Sequence, residues 1–128
     1  MNLTESAGMS NAYFFDTYAF FEIIRGNPSY TKYVEAEVIT TLFNLAELNY
    51  NLKKEKDKKI ADEITDKYKD YCITVSLEDI KKAMDLKLQH KKLSIPDSIG
   101  YTLAKKHDVK FLTGDEGFRD FSNVEFVK

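Results

Sequence analysis

Four carboxylates stand out in this 128-residue chain by what precedes them: Asp16, Glu47, Asp97 and Asp115. Asp16 closes the apolar run Ala12-Tyr13-Phe14-Phe15, and Asp115 follows Val109-Lys110-Phe111-Leu112-Thr113-Gly114 almost as directly. Two carboxylates about 4 Å apart repel by roughly 4 kcal/mol at an effective dielectric near 20. Four converging acids therefore require protonation or a cation. Oxygen donors of this kind suit Mg²⁺ or Mn²⁺, and Mg²⁺ commonly keeps several waters beside a few carboxylates. Metal-dependent hydrolysis is the chemistry this set points to.

The elements that must position these acids are those of one α/β domain. A tail over residues 1–11 precedes a domain expected over residues 12–128. The continuous aromatics of Tyr13–Phe15 suit a strand covered on both faces. Helix is expected over Thr17–Arg25, stopped by Gly26 and Pro28. The β-branched run Val38–Thr41 reads as a second strand, and Leu42 to Lys54 as a deeply packed helix, apolar nearly all round. Lys58–Tyr71 carries Ile60, Ile64, Tyr68 and Tyr71 at helical spacing, and Cys72–Val75 reads as a third strand. Ser76 and Asp79 form a capping-box pattern opening a helix with Leu77, Ile80, Met84 and Leu88 as its apolar stripe. Ser94 opens the next helix, with Pro96 in its first turn and Ile95, Ile99 and Leu103 facing inward. Val109–Leu112 and Val124–Val127 complete five strands, and Asp115–Phe121 between them reads as a tight connection or one helical turn.

Strands separated by helices imply right-handed crossovers and a mainly parallel sheet between two helical layers. Ligands of such sheets collect beyond the carboxyl ends of the strands, where Asp16 and Asp115 both fall.

Each acid also has an ordinary explanation. Asp16 can N-cap its helix, Asp97 can complete a capping box with Ser94, and Asp115 beside Gly114 and Gly117 can be a turn residue. Glu47 sits on a helix with few directions free of apolar neighbours, and burying it unpaired is costly. The four together are harder to explain by coincidence than any one alone.

Composition narrows the alternatives. The net charge of −2, from 19 basic and 21 acidic residues, lacks the strong basic excess common in nucleic-acid-binding domains. Two clusters nevertheless concentrate positive charge: Lys53 to Lys59, and Lys87 to Lys92 with His90. Most single lysines read as a solvated helix face, with Glu55–Lys59 and Glu63–Lys67 at helical spacing. The single cysteine, Cys72, precludes an intramolecular disulfide and reads as a small buried apolar residue. With no apolar stretch resembling a membrane span or secretory signal, the expected setting is cytoplasmic, without membrane association. His90 and His107 do not form a zinc-ligand spacing with Cys72, and no phosphate-binding glycine loop or acyl-hydrolase elbow is present.

The order of these pieces resembles the PIN-domain ribonucleases, and among them the VapC-type toxins of toxin–antitoxin pairs. The likeness rests on Phe15-Asp16-Thr17, Ala46-Glu47, Pro96-Asp97-Ser98 and Leu112-Thr113-Gly114-Asp115-Glu116-Gly117-Phe118, spanning about Ala12 to Val127. It implies a three-layer α/β/α PIN-like domain with a mainly parallel five-stranded sheet. It further implies a Mg²⁺- or Mn²⁺-dependent endoribonuclease, with Asp16, Asp97 and Asp115 as metal ligands. Glu47 would bind metal or orient the attacking water, and Thr17 and Thr113 would position a carboxylate or phosphate. RNA as substrate, a cognate antitoxin and a homodimer follow from the same likeness. One departure is Ser98-Ile99-Gly100-Tyr101, where the family often has a small residue after the third acid; Tyr101 is expected to narrow the site. Glu116 and Asp120 are candidates to supplement an outer metal shell. Rival readings are a PIN-like module that binds RNA or protein without cutting, a phospho-acceptor domain, and a purely structural interaction domain. The phospho-acceptor reading suffers because Asp16 stands alone after its strand.

Overall fold

The structure is a computed structural model and describes residues 11–128. The expected tail lies, except for Asn11, outside the described residues. Four strands, β1 (Ala12–Phe15), β2 (Glu37–Ile39), β3 (Lys110–Thr113) and β4 (Val124–Phe126), form one sheet in the order β2-β1-β3-β4. Every pairing is parallel. Five helices connect and cover them: α1 (Thr17–Arg25), α2 (Leu42–Glu55), α3 (Lys58–Asp66), α4 (Leu77–Gln89) and α5 (Ile95–Lys106).

The two central strands divide the interior into two cores. Because successive strand side chains point to opposite faces, register alone sorts them. Phe14 lies opposite Phe111, and Phe15 opposite Leu112. Phe14 and Phe111, stacked at 5.7 Å, belong to one core with Ile99, Leu103 and Ala83 of α5 and α4. Phe15 and Leu112 belong to the other, with Phe20 of α1, Leu45 and Leu48 of α2 and Ala61 of α3. Both faces are covered, as the unbroken aromatic run of β1 implied.

The strand expected at Cys72–Val75, third of the five, does not form. Its only pairing among the described residues is one parallel bridge between Thr40 and Cys72, with the Thr40 N–H on the Tyr71 carbonyl and the Ile73 N–H on the Thr40 carbonyl. The bridge cannot lengthen because Thr41, the next residue, already N-caps α2. Ile73 and Val75 instead pack against the core beneath α4 and α5. The helix expected through Tyr71 ends at Asp66, and Lys69–Tyr71 is a separate 3-10 turn.

Two helices are less enclosed than their composition implied. Leu45, Leu48 and Leu52 of α2 are buried, while Leu42, Phe43 and Tyr50 are exposed. Leu77 and Leu88 at the ends of α4 are exposed too, while Ile80 and Met84 of the expected stripe pack inward beside Ala83 and Leu86. On α5, Ile99 and Leu103 are buried as expected, whereas Ile95 is 49% exposed. No helix among the described residues is long and apolar enough to cross a membrane.

Helix α5 lies against the sheet at Gly100, where an added Cβ would come within 2.7 Å of the Phe14 ring and 3.1 Å of Phe111. Alanine favours a helix interior over glycine by about 1 kcal/mol, but overpacking a tight core typically costs about 1–3 kcal/mol. Sterics win here, so Gly100→Ala is expected to lower stability in urea unfolding despite its better helix propensity. A stabilised variant would contradict the close approach.

Candidate active site

The carboxyl ends of β1 and β3 open onto one cleft, and both strands deliver an acid to it. Asp16 leaves β1 and N-caps α1, accepting the Thr17 N–H at 2.8 Å. Its own N–H extends the sheet to the Leu112 carbonyl. Two residues beyond β3, Asp115 N-caps the 3-10 turn Glu116–Phe118, accepting the Gly117 N–H at 3.0 Å. Gly114 between Thr113 and Asp115 has no room for a side chain, since a Cβ would run into the Val127 carbonyl oxygen and the Tyr18 ring.

Asp97 arrives from α5. It is the reciprocal member of the capping box with Ser94: its Oδ2 accepts the Ser94 N–H at 3.0 Å and its own N–H bonds the Ser94 hydroxyl. No donor among the described residues bonds its other oxygen. Asp16, Asp97 and Asp115 thus meet, with one oxygen of each inside a mutual distance of 4.8 Å. The ordinary capping roles and the convergence are both real.

Two threonine hydroxyls hold the set in place. Thr113, fully buried, donates from Oγ1 to Asp16 Oδ2 at 2.7 Å and accepts the Asp115 N–H at 3.1 Å. Thr17 donates to Glu47 Oε1 at 2.9 Å, with the Asn44 carbonyl at 3.4 Å as a weaker acceptor. Glu47 lies outside the three-acid cluster but lines the same cleft of about 360 Å³. Glu47 is half-buried there, at the edge of the packed helix rather than enclosed in it.

Asn44 is the residue that sequence reasoning missed. Fully buried, it accepts the Thr41 hydroxyl at 2.6 Å and donates to the Pro96 carbonyl at 3.2 Å. It therefore ties the start of α2 to the turn that carries Asp97. The available signal was a polar residue at the buried spacing of Leu45, Leu48 and Leu52. Other expectations are corrected. Tyr101 does not line the cleft; its hydroxyl donates to the Ser122 carbonyl at 2.6 Å and its ring packs among Phe111, Phe118 and Phe121. Glu116 is engaged by Arg119 and Lys128, and neither it nor Asp120 lines the cleft.

The electrostatics of the cluster favour protons or a cation. Each pair of charges within 4.8 Å repels by roughly 3 kcal/mol or more at an effective dielectric near 20. Burial is the main force raising Asp16 well above the ordinary carboxylate range. The Asp97 charge adds to it and the Thr113 hydroxyl opposes it, with smaller effects from Glu47 and the Thr17 N–H. Burial likewise pushes Asp97 up to about 6, against the Ser94 N–H and with the charges of Glu47 and Asp115. An all-oxygen, carboxylate-rich donor set of this kind fits a hard divalent cation such as Mg²⁺ or Mn²⁺. Asp16, Asp97 and Asp115 are the residues placed to hold it.

A parallel α/β sheet with an acid cleft at its carboxyl edge defines the class of protein, and comparison specifies the family. The PIN domain profile matches residues 13–124, and the chain belongs to the PIN-domain family. Solved structures that share the fold include two toxin–antitoxin complexes. One is a toxin–antitoxin complex from Klebsiella pneumoniae, 20% identical, covering 88% of this chain and 95% of that one, with a TM-score of 0.68. The other is VapBC2 from Rickettsia felis bound to a DNA fragment from its promoter, 16% identical, covering 91% and 97%, with a TM-score of 0.66. No curated protein matches the sequence significantly.

Two measurements test this geometry. Thr113→Val keeps the shape but leaves Asp16 Oδ2 and the Asp115 N–H without their partner. The expected loss is about 1–3 kcal/mol in urea unfolding, and a neutral substitution would contradict the bridging role. The second concerns pH. Asp16 and Asp97 bind protons more tightly folded than unfolded. Their contribution to metal-free stability is therefore full below about pH 4, the unfolded carboxylate value, and is lost as pH rises through the folded values, about 6 for Asp97. In chelator, Tm should fall by several degrees between about pH 5 and pH 7, Asp97→Asn should shrink that fall, and Mn²⁺ should restore Tm more at pH 7 than at pH 5. An equal fall in wild type and Asp97→Asn would remove Asp97 from the effect.

Proposed function

We propose that this PIN domain is a Mg²⁺- or Mn²⁺-dependent endoribonuclease that hydrolyses RNA phosphodiesters as the toxin of a toxin–antitoxin pair. The observation that carries this reading is the convergence of Asp16, Asp97 and Asp115 within 4.8 Å at the carboxyl ends of a PIN-domain sheet. A bound divalent cation supplies positive charge against the phosphoryl oxygens and lowers the pKa of an attacking water. The chain's own residues supply the arrangement. Asp16, Asp97 and Asp115 hold the cation, and their mutual repulsion makes the empty set a poor resting state. Glu47, oriented by the Thr17 hydroxyl, either joins the metal ligands or accepts a proton from the water. Thr113 fixes the spacing between Asp16 and Asp115 through a single hydroxyl. Capping bonds tie the carboxylates of Asp16, Asp97 and Asp115 to the backbone N–H groups of Thr17, Ser94 and Gly117, so little reorganisation accompanies the reaction.

Both similar solved structures are toxin–antitoxin complexes, which supports a cognate antitoxin as the partner that silences this site. A homodimer acting in the cytoplasm completes the proposal.

The test is cleavage of single-stranded RNA with Mg²⁺ or Mn²⁺, abolished by chelator. Asp16→Asn and Asp97→Asn should each reduce the rate more than about 100-fold, beyond the loss typical of an outer partner to a metal. Thr17→Val, acting through Glu47, should cost roughly 10–100-fold. Undiminished cleavage in both aspartate variants would sink the mechanism. RNA binding without metal-dependent cleavage would establish the non-catalytic alternative.

A further inference from the structure

The acid cleft is a poor surface for RNA by itself. Six carboxylates line it, those of Asp16, Glu22, Glu47, Glu55, Asp97 and Asp115, against the two cations Arg25 and Lys54. Arg25 is already committed to Glu22 and Glu55, each at 3.2 Å. One divalent cation offsets only part of this excess, so a polyanionic strand needs positive charge beside the cleft.

The neighbouring cleft provides it. About 370 Å³ in volume, it shares Asp115 with the acid cleft and is otherwise lined by His90, Lys91, Lys92, Leu93 and Gly117. Lys91 and Lys92 are exposed, and neither pairs with a carboxylate among the described residues. Their loop is fixed rather than loose. Lys87 reaches across from α4 and donates to the carbonyls of Lys91 and Leu93 at 3.2 and 2.7 Å. The Leu93 N–H bonds the His90 carbonyl, and the Leu93 side chain is buried in the core. The His90 ring packs on Phe121 at 4.8 Å. Ser94, which orients Asp97, is the next residue after this anchor. The loop is thus held in register with two members of the acid cluster.

The other lysine cluster stands apart from both clefts where it is unpaired: Lys56 and Lys59 are exposed and line neither. Lys53 and Lys58 both bind Asp62, at 2.9 and 3.1 Å, and Lys54 lies over the Tyr50 ring.

From this contrast we infer that the Lys91-Lys92 loop is a phosphate-binding subsite that receives the RNA backbone beside the scissile bond. The inference rests on the nuclease reading and assigns its substrate a path, from the basic cleft across Asp115 into the acid cleft. Lys87 is a positioning residue, acting through the carbonyls it holds.

The test measures binding rather than turnover. Fluorescence anisotropy with a short labelled single-stranded RNA, in chelator, is followed across about 50–200 mM salt. Lys91→Ala/Lys92→Ala is compared with Lys56→Ala/Lys59→Ala, which removes the same charge elsewhere, and circular dichroism confirms folding of both. The loop variant should bind about tenfold more weakly. Its log–log salt dependence should be shallower by about 1.4, at about 0.7 for each lost phosphate contact to a single strand. The control should change affinity less than about twofold. Equal weakening by both variants, or no weakening by the loop variant, would overturn the subsite. Selective weakening in a protein that never cuts RNA would uphold the subsite and sink the nuclease reading. Metal-dependent cutting with unaltered affinity in the loop variant would do the reverse.

Discussion

One buried hydroxyl joins the two halves of the acid site. Thr113 ends β3, donates its hydroxyl hydrogen bond to Asp16 at the end of β1 and accepts the backbone N–H of Asp115. Parallel pairing of β1 with β3 places the two strand ends side by side, and the hydroxyl converts that proximity into a fixed spacing between carboxylates. The remaining architecture serves the same constraint. Gly114 lets the chain turn from Thr113 to Asp115 against Val127 and Tyr18, where any side chain would intrude. Gly100 lets α5 approach Phe14 and Phe111 closely enough to bring its first turn, with Asp97, to the same edge of the sheet.

Concentrating acids in this way is destabilising, and the fold offsets part of the cost locally. Asp16 accepts two hydrogen bonds despite being 2% exposed, and Asp97 and Asp115 each accept a backbone N–H. These bonds favour the charged forms, yet burial and mutual repulsion still prevail at Asp16 and Asp97. A divalent cation would relieve the residual imbalance. A carboxylate set of this kind would favour a cation more at neutral than at acid pH, because protons compete for the same oxygens.

Much of this was legible in the sequence, and the failures have physical causes. The unbroken aromatic run of β1 signalled a strand covered on both sides, and the Ser-x-x-Asp patterns at Ser76 and Ser94 marked two helix starts that the structure reproduces. Asp16 and Asp115 followed from strand ends alone. Cys72–Val75 was misread because β-branched residues advertise a strand whether or not a partner backbone is available, and Thr40 offers only one pairing before α2 begins. Leu77 and Leu88 were assigned to an inward stripe, and all of α2 to deep packing, because periodicity and composition report apolar faces without reporting what covers them. Asn44 escaped notice because its partners, Thr41 and the Pro96 carbonyl, are local and distant at once. Tyr101 was expected at the site because it departs from the family pattern, but its hydroxyl and ring are satisfied by Ser122 and by Phe111, Phe118 and Phe121.

Asp97 shows why a structural role and a chemical one need not compete. A carboxylate has two oxygens, and the capping box occupies one of them with the Ser94 N–H. That bond fixes the rotamer and, through it, the direction in which the other oxygen faces. A ligand without such an anchor would have to lose side-chain freedom on binding a cation; here folding has already restricted it. Asp115 likewise caps a helical turn through one oxygen, and Asp16 is held twice, by the Thr17 N–H on one oxygen and the Thr113 hydroxyl on the other. The helix-capping alternatives that weaken each acid taken singly are therefore the devices that aim all three at one point.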